Sequence, residues 1–311
     1  MGSRDAGLLA KIAAWYYEDG LTQEEIARRS RVSRPSVSRL LSQAREMGIV
    51  QVKVAYPLSQ AKELERRLEK TFGLKEAIVA DTSGSGSLPL VRTLGAAAAE
   101  YLERVLDEND VLGVSWGNTL YHVIQSLEPR PMERLTIVQL CGGLAPVWEA
   151  TDSADLVRKM AAVYGARAYL LQGPLLLGSE EEYRYLASNP AIALTLDKMK
   201  DVNVAVVGIG ALEDSVFMRN NMLSPEQVEA LRATGAVGDI CSRFIGPDGR
   251  EVDATFIGPM LAIRMEELCR VEHVVAVAGG PRKIAALRAA LLTGAIDVVI
   301  TDTDTAAGIV A

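Results

Sequence analysis

Apolar residues near the start of the chain recur with a helical period. Leu9, Ile12, Ala13 and Tyr16 fall three and four apart, and Gly20 stands where such a helix closes on a left-handed residue. Thr22 ahead of Gln23-Glu24-Glu25 is a capping box, which predicts a second, short helix with Ile26 and Ala27 facing inward. After the turn Ser30-Arg31-Val32, Ser33 is placed to cap a third helix that tolerates Pro35 in its first turn. Val37, Leu40, Leu41 and Ala44 make its buried stripe. Two helices this short, joined by so tight a turn, predict a helix-turn-helix.

Ile49-Val50-Gln51-Val52-Lys53-Val54 reads as a short strand ended by Pro57. Leu58, Ala61, Leu64, Leu68 and Phe72 then mark one face of a charged helix stopped by Gly73. Such a stripe must be covered, by the rest of the chain or by a second copy. Two-fold operators require paired reading heads, which favours the second copy.

From residue 76 onward, apolar and β-branched runs alternate with helical patterns, so the fold class is α/β: an N-terminal all-α helix-turn-helix domain, then a doubly wound, mostly parallel sheet with helices on both faces. The strands read as Ala77–Ala80, Val111–Val114, Leu135–Leu140, Val202–Val207, His273–Ala278 and Asp297–Ile300. A Gly/Ser loop, Thr82–Ser87, leads into an Ala-rich helix reaching about Leu106, and Ser224-Pro225-Glu226-Gln227 opens another through a capping box. The expected domains are 1–55 for the helix-turn-helix, 56–73 for a linking or oligomerisation helix, and 74–311 for an effector-binding body.

Composition narrows the classes. With 49% hydrophobic residues the chain can bury a core, which excludes disorder as its main state. The longest stretch without a formal charge, Val111–Leu127, has 17 residues, short of the ~20 a spanning helix needs, and no signal peptide opens the chain. Cys141, Cys241 and Cys269 lack the paired spacing of a zinc site or disulfide framework. A reduced, cytoplasmic setting without membrane, metal or cofactor is expected. The net charge of −7 hides an asymmetry: residues 1–55 carry nine Lys/Arg against six Asp/Glu, or +3, and the remainder carries 24 against 34, or −10. A basic head on an acidic body points to a polyanion partner for the head alone.

With the third helix's stripe turned inward, Arg34, Ser36, Ser38, Arg39, Ser42, Gln43 and Arg45 must face outward. Small hydroxyls allow close approach to a groove, Arg can fork onto guanine, and Gln can pair with adenine. Arg28, Arg29 and Arg31 sit at the end of the second helix and in the turn, where phosphate contacts are expected. The candidate surface for double-stranded DNA is therefore Arg28, Arg29, Arg31, Ser33, Arg34, Ser36, Ser38, Arg39 and Gln43. The alternative is a solvated basic face on a small helical bundle.

Several strands of the body end in Gly or small polar residues just before a helix. In open α/β sheets ligands bind at those carboxyl ends, where Gly lets backbone N–H groups approach an anion and the next helix N-terminus favours its charge. Ser115-Trp116-Gly117-Asn118-Thr119 is the candidate phosphate cradle, Lys283 after Gly279-Gly280 a candidate cation, and Asp239 and Asp302 candidate acceptors for ligand hydroxyls. Each also has a plain structural explanation: turn glycines, capping aspartates, a core tryptophan and a solvated lysine.

The head Leu21–Leu41, the helix up to Phe72-Gly73-Leu74, and the strings Gly113-Val114-Ser115-Trp116-Gly117, Gln139-Leu140-Cys141-Gly142-Gly143, Gly238-Asp239-Ile240 and Ile300-Thr301-Asp302 resemble the SorC family of bacterial sugar-responsive transcriptional regulators. The resemblance covers nearly the whole chain. It implies a DNA-reading head, an effector domain of the sugar-phosphate isomerase and deaminase type without catalysis, homo-oligomers (dimers, or tetramers built from them), and a phosphorylated sugar or related metabolite as effector. Carried over, the effector-binding residues are Ser115, Trp116, Gly117, Asn118, Thr119, Cys141, Gly142, Gly143, Gly210, Asp239, Lys283 and Asp302. Cys141 stands where some relatives carry Lys, so a Schiff base with an aldehyde sugar is excluded at that position. Asp155 stands where relatives often have Asn.

Two other functions compete. A sugar-phosphate isomerase or deaminase with an accessory head needs a positioned acid/base pair, yet His122 and His273 both lie away from the Gly-ended strand termini, leaving Asp239 as a candidate base. A dinucleotide site at Gly208-Ile209-Gly210 fails because Glu213 occupies the third glycine's place.

Overall fold

The computed structural model describes residues 3–50, 60–80, 89–143, 151–219 and 222–311. The chain divides into two compact units, Met1–Pro57 and Leu58–Ala311. The first holds α1 (Ser3–Tyr17), α2 (Gln23–Ser30) and α3 (Arg34–Glu46). Thr22 and Glu25 form the reciprocal capping box, and the Ser33 hydroxyl accepts the Ser36 N–H at 3.3 Å. Between α2 and α3, Arg31 takes a left-handed conformation with φ 55°. Ile12, Ile26, Val37 and Leu41 form one buried cluster, and Leu9, Ala13 and Ala44 a second, with half-buried Leu40 packed between them. The N-terminal part of the expected strand, Ile49 and Val50, packs on the second cluster; residues 51–54, with Pro57 and Leu58, lie outside the described residues.

The second unit runs α4 (Gln60–Phe72), β1 (Glu76–Ala80), α5 (Leu90–Val105), β2 (Val111–Val114), α6 (Asn118–Ser126), β3 (Thr136–Gln139), α7 (Ser153–Tyr164), β4 (Arg167–Tyr169), α8 (Glu180–Ala187), α9 (Pro190–Met199) and β5 (Val204–Ala211). It continues with α10 (Val216–Arg219), α11 (Pro225–Ala233), β6 (Gly238–Ile240), β7 (Arg243–Ile245), α12 (Met265–Leu268), β8 (His273–Val277), α13 (Ile284–Leu292), β9 (Val298–Asp302) and α14 (Thr303–Val310). The main sheet is parallel throughout, in the order β1-β9-β8-β5-β2-β3-β4. Its inner strands therefore bury both faces, which is why they read as unbroken apolar runs rather than alternating ones. Val204 and Val206 face one core with α5, α6 and α7, while Ala205 and Val207 face the other with α4, α13 and α14. The short edge strand β4 and the β6–β7 hairpin carry no comparable run and were not expected. The Gly/Ser loop Thr82–Ser87 lies outside the described residues.

One expectation is corrected. The stripe of α4 is covered by the chain's own body: Leu64 and Leu68 are buried in the core that includes Ala77, Val79 and Ile309, with Ala61 and Phe72 packed against it. The charged face is used as well, since Glu65 Oε1 accepts the Val79 N–H and Glu69 Oε1 accepts the Ala77 N–H, each at 3.1 Å. Arg67 also donates to the Val310 carbonyl at 2.7 Å. A stripe spent on β1 and α14 is not available to a second copy.

Leu68→Ala is expected to lower the unfolding free energy of the full chain by about 2–5 kcal/mol, the range for a fully buried leucine. Urea denaturation followed by sedimentation of the folded variant checks it: the midpoint falls while the oligomeric state is retained. Unchanged stability with loss of assembly would contradict the docked position of α4.

Candidate functional site

Connections β2→β3→β4 run to one side of the sheet and β5→β8→β9 to the other, so the order reverses between β2 and β5. Ligands of open α/β sheets bind outside such a reversal, at the carboxyl ends. There Ser115 is buried, with its N–H on the Val206 carbonyl and its hydroxyl accepting the Gly208 N–H at 3.3 Å. Trp116 packs against both cores and so pins the loop over the sheet. Gly117, at φ 119°, precedes α6, whose start has neither a side-chain cap nor an acidic residue in its first turn. The N–H groups of Asn118 and Thr119 have no acceptor among the described residues, and Asn118 is exposed. This is the open donor edge that an anion needs.

One strand over, Lys283 Nζ donates to the Ile209 carbonyl at 2.8 Å. Beside it lies Asp239, 6% exposed, whose Oδ2 accepts the Ser242 N–H at 3.2 Å. Burial pushes the Asp239 carboxyl up to about 6, against the opposing pull of the Lys283 ammonium and the Ser242 N–H. Gly210 pairs with Asp239 across the β5–β6 ladder, and a side chain at Gly210 would collide with the Asp239 carboxylate. Gly210 is thus the floor on which Asp239 rests.

The remaining candidates are occupied within the protein. Asp302 Oδ2 accepts the Gly280 N–H at 2.8 Å and the Thr305 hydroxyl at 2.6 Å, while Oδ1 accepts the Thr305 N–H at 3.0 Å. It is the cap of α14 and a clamp on the loop before Lys283. The Gly142 N–H goes to the Leu261 carbonyl and the Gly143 N–H to the Gly173 carbonyl, both at 2.8 Å. Cys141 is fully buried with its thiol hydrogen-bonded to Cys241, and burial raises its pKa well above the usual thiol range. Asp155 is paired with Arg158 at 3.3 Å, so its charge is not isolated. His273 begins β8, at the opposite edge of the sheet from the carboxyl ends, and bonds Tyr101. No group of His, Cys, Asp or Glu among the described residues could hold a metal ion.

Cys241 and Ser242, with φ 49° and 70°, form the two-residue turn between β6 and β7. Left-handed turns of this kind usually use Asn-Gly, and non-glycine residues there carry strain that clusters at functional sites. The sequence held no turn signal at Cys-Ser, so this support of Asp239 escaped notice. The glycine Gly238, which lets β6 approach Gly210 and Ala286, was visible only as part of a family string.

In the head, Arg28, Arg29, Arg31, Ser33, Arg34, Ser38 and Arg39 are exposed, and Ser36 and Gln43 half-buried, while Val37, Leu41 and Ala44 are buried beneath them. The hydroxyl of Ser36 is bonded to Ser33 at 2.8 Å. No described helix is long and apolar enough to cross a membrane.

Residues 56–311 match a family model described as "Putative sugar-binding domain". The chain is 30% identical over 303 residues to the deoxyribonucleoside regulator of Bacillus subtilis (strain 168), covering 97% of each. To the sorbitol operon regulator of Klebsiella pneumoniae it is 31% identical over 308 residues, covering 98% of each. The crystal structure of the full-length sorbitol operon regulator SorC from Klebsiella pneumoniae matches with a TM-score of 0.76 at 29% identity, covering 99% of this chain and 100% of that one. A helix-turn-helix unit followed by a sugar-binding α/β body defines a class of bacterial transcriptional regulators. This chain belongs to the SorC family of that class.

A carboxyl whose pKa is higher in the folded than in the unfolded chain contributes stability that is complete below the ordinary carboxylate range and is lost as pH rises through about 6. Asp239→Asn removes this dependence. The difference in unfolding free energy between variant and wild type is expected to move by about 2–3 kcal/mol in the variant's favour between pH 4 and pH 8, read from urea midpoints. A pH-independent difference would mean that Asp239 is not held in a dry site.

Proposed function

We propose that the chain is an effector-controlled transcriptional regulator of a carbohydrate-utilisation operon, and not an enzyme. The head, residues 1–55, binds a duplex operator. The body, residues 74–311, binds a phosphorylated sugar or related metabolite, and the working form is a cytoplasmic homo-oligomer, dimer or tetramer. The observation that carries this reading is the division of α3 into a buried Val37-Leu41-Ala44 face and an exposed Arg34-Ser38-Arg39 face, on a unit whose charge is opposite to that of the body. Arg28, Arg29 and Arg31 supply phosphate contacts, and Arg34, Ser36, Ser38, Arg39 and Gln43 face the bases.

For the effector, the donors of Asn118 and Thr119 at the start of α6 hold the phosphate, with Lys283 drawn from the Ile209 carbonyl to meet it. Asp239 accepts sugar hydroxyls through Oδ1, for which no donor is found among the described residues. Ser115, Trp116, Gly117 and Gly210 shape the site from their backbone. Asp302, Cys141, Gly142 and Gly143 support it from behind rather than touching the ligand. The same Asp302–Thr305 clamp that fixes Gly280 begins α14, and α14 lies along α4, the first described element after the head. A ligand at Gly280–Lys283 acts on the regulator only through its differential affinity for two arrangements of the body.

The reading is tested with the full chain in two arms. A thermal-shift panel of phosphorylated sugars, free sugars and polyols is expected to find stabilisation by a phosphorylated member, growing with the logarithm of its concentration, with no product formed on incubation. In vitro selection from a random duplex pool is expected to enrich a site bound in a salt-dependent manner, and Arg34→Ala with Arg39→Ala to abolish that enrichment. Turnover of a sugar phosphate would overturn the regulator as stated, and stabilisation by unphosphorylated polyols alone would remove the phosphate cradle.

A further inference from the structure

Trp15 and Tyr17 lie off the stripe that α1 buries. Leu9, Ile12 and Ala13 supply that stripe, whereas Trp15 is half-buried at the edge of the Ile12-Ile26-Val37-Leu41 cluster and Tyr17 is 38% exposed. Each ring carries an arginine from a different helix. The Arg29 guanidinium, from the last turn of α2, lies 4.6 Å from the centroid of the Trp15 ring, with Lys11 Nζ at 5.3 Å from the same ring. The Arg45 guanidinium, from the last turn of α3, lies 5.6 Å from the Tyr17 centroid, and its Nε–H donates to the Tyr17 hydroxyl at 2.8 Å. Neither arginine is engaged by a carboxylate among the described residues. Residues two apart on a helix are about 200° apart around it, so the two rings serve opposite flanks of the unit.

We infer that Trp15 and Tyr17 are positioning residues for the nucleic-acid backbone: each ring holds one arginine, Arg29 or Arg45, ordered in advance as a phosphate contact on either side of the reading helix. This rests on the DNA reading proposed above and adds to it the residues that set the contacts' geometry. A guanidinium held against a ring keeps its terminal N–H donors for the fork onto a phosphate: Arg45 spends its Nε–H on the Tyr17 hydroxyl and retains its two terminal amino groups. Lysine, a point charge without a fork, gains no such direction from a ring. A long side chain that is already ordered loses less freedom on binding, so the rings act on affinity without touching the DNA themselves. Arg31 and Arg34 are exposed and have no ring contact among the described residues, so they lack this ordering.

The test measures full-length chain binding to a random-sequence duplex by fluorescence anisotropy across a salt series. Arg29→Gln and Arg45→Gln are each expected to lower the slope of log affinity against log salt by about one. Trp15→Leu and Tyr17→Leu are expected to leave that slope unchanged while weakening binding about three- to tenfold at every salt concentration. Trp15→Phe, which keeps a ring under Arg29, restores most of the loss. In the double variants Trp15→Leu/Arg29→Gln and Tyr17→Leu/Arg45→Gln the ring substitution is expected to add nothing further. Additive losses, or ring variants that bind as wild type, overturn the positioning role. Tyr17 is exposed, so its arm survives if Trp15→Leu destabilises the head. A wild-type chain that binds no duplex removes the DNA reading itself, an outcome distinct from failure of the ring variants in a chain that binds.

Discussion

Strand β5 belongs to two sheets at once, and the geometry of the body depends on it. Its first five residues pair in parallel with β8, and its last three leave the main sheet to pair antiparallel with β6. A strand can do both only if its neighbours approach closely where it changes partner. Gly210 and Gly238 provide that approach: a side chain at Gly210 would collide with the Asp239 carboxylate, and one at Gly238 would lie 2.6 Å from the Ala286 side chain. The result is a carboxylate laid over a strand end at the reversal of the strand order, dry enough that its proton affinity rises. Neither a longer parallel strand nor a freely ending one would place an acid there.

The same compactness explains why several polar groups at this edge are not ligand-facing. Buried donors and acceptors must be satisfied, and close-packed strand ends satisfy one another first. Gly142, Gly143 and Gly280 give their N–H groups to Leu261, Gly173 and Asp302. Among the described residues, those left unspent include the start of α6, where a helix leaves its first N–H groups without partners, one oxygen of Asp239, and the buried hydroxyls of Ser242 and Thr301. The open positions are therefore divided in kind, with anion donors on the β2 side and an acceptor with its lysine on the β5–β8 side.

The parallel strands other than β4, and the head helices, were legible because each obeys a local rule: an apolar run in the sheet, or a cap followed by a 3.6-residue period. Val111–Val114 and the boxes at Thr22 and Ser224 show how far such rules reach. The β6–β7 hairpin was not legible, because Cys241-Ser242 carries no turn chemistry and three-residue strands carry no period. The docking of α4 was equally out of reach, since a stripe states that it must be covered and not by what. At the site, Ser115–Thr119 and Lys283 could be gathered from their common position after strands. Asp302 shares that position, and its role as the cap of α14 depends on Gly280 and Thr305, which only the fold brings around it.

Head and body illustrate opposite uses of charge. Among the described residues, the ion pairs within 4.0 Å all fall in the body, whose acidic excess is partly neutralised side chain by side chain. In the head the arginines are set against aromatic rings and open solvent instead of carboxylates. A protein that needed those charges only for stability would gain as much from pairing them, since exposed pairs and exposed ring contacts are of similar small worth. Leaving them unpaired keeps their field and their donors intact for a polyanion, and it does so on the one unit whose net charge does not repel one.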